Sequence, residues 1–111
     1  MAINTKKILS PLQLAEIANL FAILSEPSRL QILQTLRSGA RSVTELVAAC
    51  ELKQANVSKQ LATLHRARLV DREREGNVVR YFIADPTIFA LCELVCGKLK
   101  RDATSMASAF K

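Results

Sequence analysis

The chain has 111 residues, enough for one domain. Half are hydrophobic, only 5% are aromatic and none is tryptophan, which suits a core of packed aliphatic helices. The net charge of +6 fits either a polyanionic partner, nucleic acid or an anionic surface, or a merely solvated basic surface.

No apolar run approaches the roughly 20 residues of a membrane span, and Pro11 and Glu16 interrupt any apolar leader. With no secretory signal, the odd set Cys50, Cys92 and Cys96 reads as reduced thiols of a cytoplasmic protein.

Residues 1–9 read as a flexible basic tail, 10–104 as the folded domain and 105–111 as a frayed end. Ser10-Pro11-Leu12-Gln13 opens a first helix: a serine N-cap, proline at the first position and glutamine at the capping-box position. Leu14, Ile17, Ala18, Phe21 and Leu24 carry its helical spacing. A second helix follows Ser25, with Leu30, Ile32, Leu33 and Leu36 as its apolar positions and Gly39 as its stop.

Ser42-Val43-Thr44-Glu45 is a capping box for a short third helix ending near Cys50. The turn Glu51-Leu52-Lys53 leads to a fourth helix over 54–68, so the pair forms a helix-turn-helix. Strands at 69–74 and 78–84 flank Glu75-Gly76-Asn77 and make one hairpin. Asp85-Pro86 starts a last helix, running to about Ala103. The expected fold is mainly α with a small β-hairpin wing: a winged helix-turn-helix.

In the fourth helix Val57, Leu61 and Leu64 project together toward the core. The opposite side carries Ala55, Lys59, Ala62 and Arg66, flanked by Asn56 and Thr63, with Ser58 and Gln60 at the margins, and no acid occurs from Gln54 to Val70. Small residues let such a helix enter the major groove. Asn, Gln and Arg suit bidentate contacts to base edges; Ser, Thr and Lys suit phosphates or bases. A solvated amphipathic helix has the same pattern, and its place between a short turn and a basic hairpin favours DNA. On the wing, Arg72, Arg74 and Arg80 reach toward phosphates or pair with Glu73 and Glu75. Arg80 is the leading contact, because its strand holds no acid before Asp85.

Three segments now stand together: residues 24–33 (Leu-Ser-Glu-Pro-Ser-Arg-Leu-Gln-Ile-Leu), 42–46 (Ser-Val-Thr-Glu-Leu) and 54–61 (Gln-Ala-Asn-Val-Ser-Lys-Gln-Leu). Leu64, Leu69-Val70 and residues 75–81 (Glu-Gly-Asn-Val-Val-Arg-Tyr) continue the pattern. Over about residues 14–100 the sequence resembles the ArsR/SmtB family of winged-helix repressors. The resemblance implies a homodimer through the first and last helices, two recognition helices on a two-fold duplex operator, and repression relieved by an inducer. It implies DNA contacts at Gln54, Asn56, Ser58, Lys59, Gln60 and Thr63 and at the wing arginines. Lys53 departs from the pattern, standing where related sequences often place a serine cap.

Family members that sense arsenic, lead or cadmium often carry Cys-x-Cys in the third helix; Thr44-Glu45-Leu46-Val47 has no thiol. Zinc and nickel members use Asp, His and Glu of the last helix, which here has no histidine. His65, the one histidine, lies in the recognition helix. No metal site of either kind is expected.

Cys92 and Cys96 share one face of the last helix. Three roles fit them: packing as small hydrophobes, a redox thiol switch, or soft-metal or metalloid binding. Cys50 is a further candidate sensor or a core thiol. Ile88, Leu91, Cys92, Val95 and Leu99 form the expected dimer stripe.

An enzyme is not expected, for there is no metal motif or phosphate loop and the three glycines are scattered. The basic helix also allows RNA binding or pure dimerisation, but the ordered helix-turn-helix and wing favour duplex DNA. The functional expectation is a DNA-binding repressor released by a thiol-reactive inducer, the alternatives being a soft-metal or metalloid inducer or no small ligand. The operator and the regulated genes are not encoded in any motif.

Overall fold

The computed structural model describes residues 8–109, so residues 1–7 of the expected tail lie outside the described part. Helix α1 (Pro11–Leu24) starts as its capping box dictates. The Ser10 hydroxyl accepts from the Gln13 N–H at 3.1 Å, and the Gln13 side chain accepts from the Ser10 N–H at 2.8 Å. No α1 residue is fully buried, although Leu20, Ile23 and Leu24 rest on the core. Helix α2 (Pro27–Leu36) again has proline in its first turn and buries Ile32, Leu33 and Leu36.

Strand β1 (Arg41–Ser42) was not expected from the sequence. It pairs antiparallel with β3 (Val78–Ile83), which pairs in turn with β2 (Val70–Glu75), giving a three-stranded sheet ordered β1-β3-β2. Helix α3 (Val43–Cys50) grows directly out of β1, and Ser42 both ends the strand and caps the helix. Helix α4 (Gln54–Arg66) follows three residues later without a side-chain cap at Lys53. Gly76 takes a φ of +64° in the hairpin turn, the left-handed geometry that glycine enters without a Cβ penalty.

Helix α5 (Thr87–Ala109) is longer than expected. The frayed end assigned to residues 105–111 is corrected: the helix continues through Ala109, and only 110–111 lie outside the described residues. No proline or glycine follows Gly97. The Lys98–Asp102 pair lies within the expected part, and the Thr104 hydroxyl donates to the Lys100 carbonyl where the added turns begin.

The core lies between α2, α3 and α4, closed by the base of the sheet and the first turn of α5. Ile32, Leu33, Leu46, Val57, Leu61, Leu64 and Val70 are almost wholly sealed from solvent. Ile88, expected at the dimer interface, is 4% exposed and belongs to this core with Phe89. The start of α5 folds onto the domain, and only its later turns leave it. Leu61→Ala should therefore cost about 2–5 kcal/mol in urea unfolding, as a cavity in a close-packed core does; a loss below about 1 kcal/mol would show a collapsible site.

Candidate nucleic-acid interface

Val57, Leu61 and Leu64 fix the rotation of α4 by their burial. That rotation exposes Gln54, Ser58, Lys59 and Arg66, with the small Ala55 and Ala62 between them. Thr63 is half-buried; its hydroxyl donates to the Lys59 carbonyl at 3.3 Å and accepts from Arg66 at 3.5 Å. These residues make one polar, basic surface, as expected.

Gln60 does not join it. It is 6% exposed, its Oε1 accepts from Arg29 Nε at 2.7 Å, and its Nε2 donates to Asn56 Oδ1 at 2.9 Å. The assignment of Gln60 as a DNA contact is corrected for a geometric reason. Position 60 is three residues beyond Val57 and four before Leu64, so it falls on the buried stripe. A buried amide there requires a partner, and Arg29 supplies it. Sequence reasoning missed Arg29; the signal was a glutamine spaced as a core residue.

The wing arginines separate. Arg72 stands opposite Tyr81 and Arg74 opposite Val79, whereas Glu73 stands opposite Arg80. Directly paired residues share a sheet face and successive ones alternate. Arg72 and Arg74 therefore share one face and Arg80 occupies the other. Arg72 and Arg74 are exposed and form no ion pair among the described residues.

Arg80 instead donates to Glu45 at 2.7 Å and to Glu75 at 3.1 Å. These pairs, the alternative the sequence also left open, occupy the guanidinium expected to be the leading DNA contact. The acids that hold it come from α3 and from β2, not from its own strand. Arg80 fastens the wing to the helix-turn-helix.

Hydrogen bonds from Ser42, chiefly its backbone N–H, and then from Arg80 hold the Glu45 carboxyl below the ordinary carboxylate range. A carboxyl lowered in the folded state stabilises it above the unfolded pKa and loses that effect as pH falls through the folded value.

Cys50 is buried; its carbonyl accepts from Gln31 at 3.0 Å and its Sγ lies 3.4 Å from the Thr35 hydroxyl. Cys92 is half-buried and Cys96 exposed. Both line an apolar cleft of about 340 Å³ between α1, α2 and α5, with Phe21, Leu24, Leu30, Leu91, Val95 and Leu99. Around it Leu12, Leu14 and Ile17 of α1 and Leu94 of α5 are also exposed. No group of three or more His, Cys, Asp or Glu is placed to hold a metal ion among the described residues. Nor is any described helix long and apolar enough to cross a membrane.

The pattern of bacterial regulatory proteins of the arsR family matches residues 26–72. The HTH-type transcriptional regulator Rv0081 of Mycobacterium tuberculosis is 41% identical over 85 residues, 76% of this chain and 75% of that protein. This chain belongs to the ArsR family. Its fold superposes on the crystal structure of Rv0081 with a TM-score of 0.78 at 35% identity, covering 89% of this chain and 99% of the other. It superposes equally on the antimony-specific transcriptional repressor AntR, with a TM-score of 0.78 at 31% identity over 92% and 93% of the two chains. The homodimeric winged helix-turn-helix DNA-binding domain of Mb0332 from Mycobacterium bovis gives a TM-score of 0.72 at 27% identity, over 90% and 95%. As an ArsR-family protein the chain is a non-catalytic, DNA-binding transcriptional regulator.

The ion pairs make two predictions. Lys59→Ala and Arg74→Ala should each weaken DNA binding and reduce the slope of log K against log salt by about 0.9, one phosphate's worth. Arg80→Ala should change that slope less, and equal slopes for all three would contradict the wing assignment. Glu45→Gln should lower the melting temperature at neutral pH, with the gap to the parent closing as pH falls; a gap that persists in acid would contradict the role of the charge.

Proposed function

We propose that this regulator is a repressor that binds a two-fold operator as a homodimer through α1 and the outer half of α5, and that a thiol-reactive inducer acting at Cys92 and Cys96 releases it. One observation carries the reading: both thiols line the same bare apolar cleft that a second copy would cover. Leu12, Leu14, Ile17 and Phe21 on α1, with Leu94, Val95 and Leu99 on α5, are too much exposed apolar surface for a small monomer to leave in water. The Mb0332 domain is homodimeric, which supports a dimer here. Leu91 and Cys92 sit at its inner edge, and Ile88 has no part in it.

Gln54, Asn56, Ser58, Lys59, Thr63 and Arg66 would meet the major groove, and Arg72 and Arg74 the flanking backbone. With peroxide as inducer, two thiols lose two protons and two electrons to form a disulfide while the peroxide is reduced to water. Thiols four apart on an intact helix reach disulfide geometry only with strain. The bond would then distort α5 locally or join the two subunits, and either changes the spacing of the recognition helices. Cys50 is the weaker sensor candidate, being buried beneath α2.

The likeness to AntR favours a second reading, in which a soft metalloid bound by thiols is the inducer.

Two experiments test the proposal on duplex carrying the protein's own promoter. Val95→Glu should sediment as a monomer at micromolar concentration and bind at least about tenfold more weakly, a loss of roughly 1.4 kcal/mol or more. A variant that stays dimeric would refute the interface. Cys92→Ser and Cys96→Ser should abolish release by peroxide or persulfide. Release by arsenite or antimonite alone would select the metalloid reading. A parent that responds to none of these would leave the cysteines as packing residues.

A further inference from the structure

The contacts around Gln60 determine more than its burial. A guanidinium has only donors, so the group 2.7 Å from Arg29 Nε must be the Gln60 oxygen. Amide oxygen and nitrogen are alike in shape and are told apart by their partners; here the arginine settles the matter. The Gln60 nitrogen consequently faces α4's first turns and donates to Asn56 at 2.9 Å. That contact turns the Asn56 oxygen inward. The Asn56 nitrogen, on the other side of the same planar amide, donates to no group among the described residues. Arg29 is itself held from the opposite side, where Nη1 donates to the Ile23 carbonyl at 3.0 Å.

We propose that Arg29 and Gln60 are positioning residues for base recognition: they hold Asn56 as a hydrogen-bond donor, so that it reads guanine by its acceptors instead of pairing bidentately with adenine. The proposal rests on α4 being the reading helix and adds which edge one of its residues reads. Bidentate adenine recognition needs an amide oxygen and nitrogen both turned to the base, the oxygen accepting from N6 and the nitrogen donating to N7. Here the oxygen is turned inward onto Gln60, so it is not presented beside the nitrogen at the groove. The outward NH2 finds its match in guanine, which shows two acceptors, N7 and O6, and no donor in the major groove.

The test uses the full-length protein and operators selected by each variant from random duplex. Gln60→Glu keeps the shape and the Arg29 contact but replaces the donor facing Asn56 with an acceptor. The Asn56 amide must then turn over and present its oxygen to the groove. The selected operators should change at one base pair per half-site from guanine to a base that offers a donor on the same strand, cytosine by N4 or adenine by N6. Asn56→Ala should show no preference at that pair. A substitution that only loosened the fold would weaken all sequences alike and invert none. Circular dichroism and the melting temperature check that Gln60→Glu is folded.

As a second measurement, 7-deazaguanine at that pair should weaken the parent about fivefold or more and leave Asn56→Ala unaffected. If Asn56→Ala alters the preference but Gln60→Glu selects the parent's operator, or the parent ignores 7-deazaguanine, the positioning proposal falls alone. If neither Asn56→Ala nor Lys59→Ala changes DNA binding, the reading of α4 falls with it.

Discussion

One guanidinium ties together three helices. Arg29 projects from α2, donates to the end of α1 at Ile23 and donates to Gln60 within α4. Removing a charge from water is costly unless its hydrogen bonds are replaced, and both of these contacts replace them. The apolar stripe of α4 sets the helix's rotation, while Arg29 sets which polar atoms that helix can offer. Because the same group holds α1, the position of the bare helix and the presentation of Asn56 share an anchor.

The rest of the molecule follows from how little α1 and α5 have to pack against. The core is filled by α2, α3, α4, the base of the sheet and the first turn of α5. That leaves α1 without a fully buried residue and carries α5 well past the domain. On the proposed reading a second copy covers both, which places Cys92 and Cys96 where a chemical change alters subunit packing without touching DNA. The wing is handled differently. Arg80 locks it to α3 through Glu45, and Arg72 and Arg74 remain on the other face, clear of those acids.

Local signals in the sequence were legible because the interactions they encode are local. The Ser10–Gln13 and Ser42–Glu45 boxes, the turn at Gly76 and the buried stripe of α4 all appear as read. The family resemblance placed these elements in order. What was misread depends on partners far along the chain. Arg29 and Gln60 are 31 residues apart, and Arg80 and Glu45 are 35. Strand β1 has only two residues and therefore no periodicity to detect. Ile88 looked interfacial because a helix apolar over a wide arc does not reveal which part of that arc its own domain takes. The end of α5 falls later than expected because the apolar periodicity stops near Leu99 while no proline or glycine ends the helix there.

The central claim is that two copies of α4, held at a fixed separation, read one face of a duplex. A hydroxyl-radical footprint of the full-length protein on its own promoter tests it most directly. The account predicts two protected patches on the same face, centred about 10 base pairs or a multiple of that apart, as a symmetric helix-turn-helix dimer requires. A single isolated patch, or uniform protection along the fragment, would contradict it.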